Sequence, residues 1–169
     1  MPLQNRVTPF GDLIAVAERG TMFGNRGVLH NHQGEIVRFH QVRRWIICVL
    51  EFRGRHREPM MQPNRYTELF FLDEATALAA GHRPCAECRH RDYQHFRRCF
   101  AAGTGISNGR LPSADEMDAH LHTDRLISRG VRKTYLDDIA VLPDGVFIVR
   151  DGEPWLIWDG SLHHWTPGG

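Results

Sequence analysis

Residues 69–88, Leu-Phe-Phe-Leu-Asp-Glu-Ala-Thr-Ala-Leu-Ala-Ala-Gly-His-Arg-Pro-Cys-Ala-Glu-Cys, decide how this chain folds. The aromatic run at 66–72 predicts a strand. Asp73 follows this run and is a good N-cap, because its carboxylate accepts hydrogen bonds from the first backbone N–H groups of a helix. Gly81 tolerates the left-handed conformation that often ends a helix, so we predict a short helix over 74–80.

The same stretch ends in two cysteines at metal-binding spacing. We predict that a longer helix, 85–102, begins at this pair, where backbone N–H groups and the helix dipole favour thiolates. Two thiolates separated by two residues bind one Zn²⁺ at Zn–S distances of about 2.3 Å. A thioredoxin-type redox pair would follow a strand, whereas here a loop precedes Cys85. Zn²⁺ binding is therefore the favoured interpretation of Cys85 and Cys88.

Further elements are predicted on both sides of this stretch. An apolar run at 44–52 predicts a second buried strand, and the glycine-containing segment 22–27 predicts a loop. A capping box at Ser113 predicts a helix that runs to about residue 129. In the tail, apolar runs separated by Asp-Gly turns predict an antiparallel meander of three or four strands, beginning at 139–142.

Together these elements predict an α+β protein. Its expected architecture is a small mixed sheet with a zinc site at a strand–helix junction, followed by a helix and a C-terminal antiparallel meander. We assign residues 1–103 to a zinc-binding module with an N-terminal extension. Residues 104–169 form the helix and the meander, which we expect to pack on that module as one compact unit.

Composition limits the classes of protein that fit the chain. It is 41% hydrophobic and 24% charged, which is typical of a globular protein. No apolar run approaches the ~18 residues that span a bilayer, and the first residues lack a signal-peptide pattern, so we expect a cytoplasmic protein without a membrane partner. For its four cysteines, metal or thiol chemistry is therefore favoured over disulfides.

The net charge of +1 hides a charge difference along the chain. Residues 37–100 hold twelve arginines and seven carboxylates, net +5, together with all four cysteines. Residues 101–169 hold six basic and ten acidic groups, net −4. The net charge of the whole chain therefore does not exclude a polyanionic partner, because the middle segment is basic.

Cys48 is the best candidate for a third ligand, because the predicted strand at 44–52 can bring it to the cysteine pair from across the fold. Cys99 would lie about 16 Å from Cys88 along one helix at ~1.5 Å per residue, whereas sulfurs on one zinc lie within about 4 Å of each other. Cys88, His95 and Cys99 share one face of the predicted helix by the i, i+7, i+11 pattern, so we predict that Cys99 is a core residue of that face. Four protein ligands are typical of a structural zinc site, and three with an open position are typical of a reactive one. The candidates for the fourth position are His56, His82, His30, His32 and water.

The stretch at 69–88 resembles the zinc-binding N-terminal domain of the Ada DNA-repair proteins. That domain also carries an aromatic pair, a short helix ending in Ala-Leu-Ala-Ala-Gly, and Arg-Pro-Cys-x-x-Cys. Upstream, Trp45-Ile-Ile-Cys48 and Arg53-Gly-Arg-His56 match the run around the family's first two cysteines. The resemblance covers about residues 44–90.

This resemblance implies both a zinc site and an activity. Cys48 falls on the family's metal-bound methyl-accepting cysteine, and Cys85 and Cys88 fall on its second metal pair. Phe52 stands where the family has its remaining cysteine. In the family, the zinc-bound thiolate takes a methyl group from a methylphosphotriester of the DNA backbone, and the loss of thiolate charge strengthens DNA binding. Cys48 is thus the candidate catalytic residue of a DNA-repair protein.

Arginines surround the predicted site along the sequence. Arginine makes bidentate contacts with phosphate, so we predict that the basic segment contacts nucleic acid, and the resemblance favours DNA over RNA. The spacing of 53, 55 and 57 would project three arginines to one side if the preceding strand continued. The candidate nucleic-acid-binding residues are Arg53, Arg55, Arg57, Arg83, Arg89 and Arg91.

Two other functions stay open. His56-Arg-Glu58, followed by the Pro-Cys85-x-x-Cys88 segment, matches the H-x-E…P-C-x-x-C pattern of zinc deaminases. In such a hydrolase or deaminase, His56, Cys85 and Cys88 bind zinc, and Glu58 moves protons to and from a zinc-bound water. The pattern requires a helix, whereas the prolines after Glu58 predict a loop. The other alternative is a zinc-stabilised interaction module without catalytic activity, which is favoured if the acidic tail covers the basic surface.

Overall fold

A computed structural model describes residues 1–55, 58–106, 109–128 and 130–169. Within these ranges the chain forms eleven short strands, three α-helices and one 3₁₀ helix. The strands are β1 Gln4–Val7, β2 Leu13–Ala15, β3 Met22–Asn25, β4 Ile46–Cys48, β5 Leu69–Phe71, β6 Arg83–Pro84, β7 Leu126–Ser128, β8 Val131–Arg132, β9 Phe147–Arg150, β10 Glu153–Trp158 and β11 Ser161–His164. The helices are α1 Glu74–Ala79, α2 His90–Thr104, α3 Ala114–Arg125 and the 3₁₀ helix Ile139–Val141. Over the described ranges, no helix combines the length and apolar character of a membrane span.

A six-stranded mixed sheet contains the first six strands in the order β2-β1-β5-β3-β4-β6. The pairs β1–β5 and β4–β6 are parallel, and the remaining pairs are antiparallel. Strands β9, β10 and β11 form an antiparallel meander, and β7 with β8 forms a two-stranded sheet. The predicted α+β class, with a mixed sheet and a C-terminal meander, is confirmed.

The stretch at 69–88 folds as its residues predict. Its strand, β5, lies in the middle of the sheet between β1 and β3, and Leu69 and Phe71 are completely buried. The Asp73 carboxylate accepts a hydrogen bond of 2.7 Å from the backbone N–H of Thr76 at the start of α1. Gly81 follows the helix with φ +88°, a left-handed conformation that suits glycine. The core cluster consists of Val7, Leu29, Ile47, Leu69, Phe71, Ala77 and Ala80.

Two predictions about the sheet are wrong. Residues 22–27 were expected to form a loop, but β3 pairs with both β4 and β5 through Phe23, so tertiary pairing overrides the local glycine signal. The strand at 44–52 is shorter than expected, because β4 ends at Cys48 and the backbone turns at Arg53 and Gly54, whose φ values are +52° and +64°. Arg53 and Arg55 therefore do not alternate along a strand.

Three boundaries in the second half of the chain also differ from the predictions. Helix α2 begins at His90 and not at residue 85, because the cysteine pair lies in a turn that precedes the helix. Helix α3 ends at Arg125, where the chain enters β7. The run at 139–142 is not a strand. Ile139–Val141 forms the 3₁₀ helix, and the Asp138 carboxylate accepts a hydrogen bond of 3.0 Å from the backbone N–H of Ala140.

A buried ion pair joins the edge of the sheet to α3. The Arg83 guanidinium donates from Nε and Nη2 to the two carboxylate oxygens of Asp118, at 2.8 and 2.7 Å. The two side chains are 1% and 5% exposed. A charge removed from water to this degree needs its counter-charge, so each partner depends on the other.

We expect Asp118→Ala to lower the free energy of unfolding by about 3–5 kcal/mol, because it leaves the buried Arg83 guanidinium without a partner. Urea denaturation measures this change. Arg110→Ala is the matched control, since Arg110 pairs with Glu116 at the surface, where both side chains are about half exposed. The control should unfold at nearly the same urea concentration as the unmodified protein. Equal stability of the Asp118→Ala variant and the control would contradict the structural role of the pair.

Candidate metal centre

The parallel pairing of β4 and β6 positions two of the cysteines. Ile47 lies opposite Pro84, and the backbone N–H of Cys85 donates to the Ile47 carbonyl oxygen at 2.9 Å. Because the carboxyl ends of parallel strands meet at one edge of a sheet, Cys48 and Cys85, the next residues on each strand, lie side by side. Pro84 has no N–H group and is therefore tolerated on β6, the edge strand.

The turn after β6 adds the third cysteine. The Sγ atoms of Cys48, Cys85 and Cys88 all lie within 4.8 Å of one another. Three sulfurs around one tetrahedral metal ion lie about 3.8 Å apart, so small side-chain rotations bring this cluster to coordination distances. Cys48 is buried, whereas Cys85 and Cys88 are half-buried. These three thiols could together hold one metal ion.

Hydrogen bonds distinguish the three sulfurs in the metal-free protein. The Cys48 thiol donates to Cys85 and, with the backbone N–H groups of Cys88 and Glu87, lowers the pKa of Cys85 to about 5. The N–H of Glu87 lies 3.4 Å from the Cys85 sulfur. The same hydrogen bond and burial raise the pKa of Cys48, and burial raises the pKa of Cys88. Cys85 is therefore the first of the three thiols to lose its proton as the pH rises in the metal-free protein.

Cys99 lies away from this cluster, as the helix geometry predicts, but it is not a core residue. Its side chain is exposed on α2, with its sulfur 3.6 Å from His95 Nε2. The prediction that Cys99 packs in the core is therefore wrong. The shared helix face that suggested it points to solvent at this position, because the buried residues of α2 are Tyr93 and Ala101.

Two of the histidine candidates are engaged elsewhere. His82 is buried, and its Nε2 accepts a hydrogen bond of 2.9 Å from Arg26 Nε, so Nδ1 carries the proton and faces the Ile46 carbonyl oxygen at 3.2 Å. Burial and the Arg26 charge hold the pKa of His82 well below its usual value, which keeps the ring neutral. His30 is also buried, with Nδ1 2.6 Å from Thr67 Oγ1. Neither ring is available to a metal ion.

His32 and His56 complete the histidine candidates. His32 is exposed and does not join the cluster. The predicted ligand His56 lies outside the described residues, as does Arg57. Of the side chains that the structure describes, only the three cysteines come together as a possible metal site.

Arg83 and Arg89 are structural residues. Arg83 is held by Asp118, and Arg89, 7% exposed, pairs with Glu74 at 2.6 Å and with Asp92 at 2.7 Å. Their guanidinium groups are buried and paired with carboxylates, so the structure does not present these two arginines of the predicted set at the surface. Burial of this kind leaves no sequence signal, since arginine is common throughout the chain.

The other described arginines of the predicted set, Arg53, Arg55 and Arg91, are exposed. Of these three arginines, Arg55 is the one that interacts with the cysteine cluster. It pairs through Nη1 with Glu87 at 3.0 Å, and Glu87 in turn donates its N–H to the Cys85 sulfur. The Glu87 hydrogen bond raises the pKa of this arginine, and the thiolate charges of Cys85 and Cys88 raise it further. A positive group therefore lies beside the cysteine cluster.

The deaminase alternative depends on a proton-transferring carboxylate near the metal. Glu58 is exposed and lies in a segment without helix or strand. The helical context that the pattern requires is therefore lacking at Glu58, and the histidine of the pattern, His56, lies outside the described residues.

Comparisons with protein-family models, with curated proteins and with solved structures found no match for this chain. The functional argument therefore rests on the geometry of the cysteine cluster and its surroundings. The resemblance to the Ada zinc domain stays a prediction that depends on the residues quoted for it.

We expect the purified protein to bind one metal ion per chain, and Cys85→Ser to lose it, because two thiols no longer complete the site. Metal analysis by mass spectrometry of the unmodified and variant proteins measures the stoichiometry. Cys99→Ser is the matched control and should retain the metal, since Cys99 is exposed on α2 outside the cluster. An equal loss of metal in both variants would contradict the assignment.

In the metal-free protein, Cys85 should react with iodoacetamide before Cys88. The pKa of Cys85 is lowered to about 5, so its reactive thiolate is present above that pH, whereas the pKa of Cys88 is raised. Peptide mass mapping after brief alkylation at about pH 7 identifies the modified residue. Cys48→Ala removes the donating thiol and should move the onset of Cys85 labelling to higher pH. Labelling that is equal at Cys85 and Cys88 would exclude this arrangement.

Proposed function

We propose that this protein binds one Zn²⁺ through Cys48, Cys85 and Cys88 and contacts nucleic acid through the exposed arginines beside that site. The observation that carries the proposal is the convergence of three sulfurs within 4.8 Å, next to Arg55. Thiolates prefer soft or borderline ions, and Zn²⁺ is the ion most often held by cysteine clusters in structural and reactive sites.

Charge links the metal site to the arginines. Zn²⁺ with three thiolates carries a net charge of −1, which a nearby guanidinium group stabilises. Arg55 occupies this place, and its pairing with Glu87 holds it there. Removal of one thiolate charge, by alkylation or protonation, would weaken the attraction and leave Arg55 more available to a phosphate group. The site therefore couples sulfur chemistry to the affinity for a polyanion.

The surface beside the site has the composition of a nucleic-acid contact. The Arg53 and Arg55 guanidinium carbons lie 4.9 and 5.4 Å from the centre of the Phe52 ring. Phe52 is half-buried, and both arginines are exposed. Arginines provide phosphate contacts, and the Phe52 ring against which both guanidinium groups lie supports them at this surface. Because the acidic tail leaves these arginines exposed, nucleic-acid contact is favoured over an interaction module without chemistry.

Alkyl transfer to Cys48 is a second candidate function, and the resemblance to the Ada domain motivates it. The cluster joins Cys48 to both cysteines of the pair, as that function requires. In the reaction the Cys48 thiolate attacks the methyl carbon of a methylphosphotriester, a C–S bond forms, the C–O bond breaks and a phosphodiester leaves. Cys48 is 6% exposed, so the DNA backbone must approach the sulfur closely.

Double-stranded DNA labelled with a fluorophore should bind the zinc-loaded protein in an anisotropy titration. We expect Arg53→Gln/Arg55→Gln to weaken binding by roughly tenfold or more and to reduce the salt dependence by about one unit for each phosphate that the variant no longer neutralises. Arg110→Gln is the control, because it removes an exposed arginine of the acidic tail. Competition with RNA of the same sequence tests the preference for DNA. Equal affinities of the double variant and the control would contradict the proposed surface.

For alkyl transfer, incubation with methylphosphotriester DNA should add one methyl group, about 14 Da by formula, to the peptide that contains Cys48. Mass spectrometry of the digested protein locates the addition, and Cys48→Ser should abolish it. An unchanged mass would exclude methyl transfer and leave the zinc and nucleic-acid proposals standing.

A further inference from the structure

A large cleft lies between the C-terminal meander and the sheet, and the metal centre contributes nothing to it. Its volume is about 980 Å³, at the upper end of the range of ligand sites. Most of its walls are apolar, and they include Phe10, Ile139, Leu142, Val146, Phe147 and Ile148. The cleft can therefore hold the hydrophobic body of an organic molecule.

The lining of this cleft carries a net positive charge. Its charged residues are Arg132, Lys133 and Asp137. Lys133 is engaged, because its Nζ donates to the Thr123 carbonyl oxygen at 2.7 Å. Arg132 donates from Nη2 to the Ala79 carbonyl oxygen at 2.6 Å. Its Nη1 is buried on the Gly81 side, without an acceptor among the described residues.

Two further arginines lie next to Arg132 behind the cleft. A methyl group added to the Cα of Gly81 would lie 3.3 Å from Arg132 Cζ and 3.4 Å from Arg125 Cδ. Both arginine side chains therefore meet at Gly81, after the end of α1. Arg26 approaches the same helix end. A methyl group added to the Cα of Gly11 would lie 3.4 Å from Arg26 Nη2 and 3.7 Å from the Ala80 carbonyl oxygen, so these two atoms are neighbours of Gly11. Arg26 and Arg125 are 0% and 5% exposed.

This three-arginine cluster, Arg26, Arg125 and Arg132, has an excess of positive charge. Four of its nitrogens, including Nη2 of Arg26 and Nε and Nη2 of Arg125, are buried without an acceptor among the described residues. Asp12 and Asp118 act on Arg26 and Arg125 from a distance, but Asp118 is already bound to Arg83. Burial and mutual repulsion lower the pKa of Arg26 to about 9 and of Arg125 to about 10.

Buried cations without counter-charges are unfavourable unless an anion joins them. Aromatic rings relieve part of this charge, since the Arg26 and Arg125 guanidinium carbons each lie 4.4 Å from the centre of the Trp45 ring. Arg132, by contrast, is half-buried and lies at the cleft. It is the member of the cluster that an incoming anion reaches.

We propose that this cleft binds an amphiphilic organic anion, whose apolar body lies along the meander and whose oxyanion head pairs with Arg132. The head group is a carboxylate or a phosphate, because both offer the acceptor oxygens that a guanidinium group binds. The apolar walls disfavour a ligand that is polar throughout. The site is independent of zinc and of nucleic acid.

Four ten-carbon probes test this proposal by isothermal titration of the full chain below their micelle concentrations. Decanoate and decyl phosphate should bind one per chain, at least about tenfold more tightly than decanol, because only they bring a charge to Arg132. Decyltrimethylammonium should not bind. The affinities of the two anions relative to each other identify the preferred head group. Decanol binding as tightly as the anions, or no binding of either anion, would overturn the proposal.

Substitutions separate the charge from the cavity. Arg132→Gln should remove the difference between decanoate and decanol, whereas Arg98→Gln, at an exposed arginine on α2, should leave it unchanged. If Arg132→Gln does not fold, Tyr135 offers a second variant, because it lines the cleft and is 75% exposed. Tyr135→Glu should weaken decanoate binding several-fold relative to Tyr135→Gln and leave decanol binding equal in the two. An unchanged preference for decanoate in Arg132→Gln, or in Tyr135→Glu relative to Tyr135→Gln, would sink the idea.

Discussion

Two backbone hydrogen bonds between β4 and β6 hold the candidate metal centre in place. The N–H of Arg83 donates to the Trp45 carbonyl oxygen at 3.0 Å, and the N–H of Cys85 donates to that of Ile47 at 2.9 Å. They fix the register of a short parallel pair, and a shift of one residue would move Cys85 away from Cys48 and turn its side chain to the other face. The turn that follows supplies Cys88 at the same edge. The site thus depends on a long-range pairing between segments more than thirty residues apart.

Arginine serves two distinct purposes in this chain. Arg26, Arg83 and Arg125 are buried. Arg83 forms an ion pair with Asp118, and the Trp45 ring partly offsets the charges of Arg26 and Arg125. Arg53 and Arg55 are exposed beside the cysteines. A high arginine content therefore does not by itself predict a basic surface, because part of the positive charge of the middle segment lies inside the protein and is offset by a carboxylate of the acidic tail.

The sequence predicts the elements whose signals are local. Asp73, Gly81 and the capping box at Ser113 mark helix ends through their own side chains or backbone conformations, and the structure confirms all three. The Asp-Gly turns likewise predict the meander. The three cysteines were predicted to meet, and they do, but the helix expected at the pair begins five residues later. That error has a local cause: the N–H of Glu87 is directed at the Cys85 sulfur, which stabilises a turn at the cysteine cluster.

The features that the sequence does not predict all depend on contacts between distant segments. Strand β3 forms only because β4 and β5 flank it, and Cys99 is exposed on α2 because no described element covers its side of the helix. The burial of Arg83 has the same origin, since its partner lies on α3. This dependence has a consequence for the metal. A metal ion bound by Cys48 and the Cys85–Cys88 turn would join the end of β4 to the start of α2, so metal affinity and the stability of the β4–β6 pairing are thermodynamically linked. Modification of one thiol would then loosen the turn that contains Glu87. Because Glu87 pairs with Arg55, a chemical change at a sulfur would alter the position of this surface arginine.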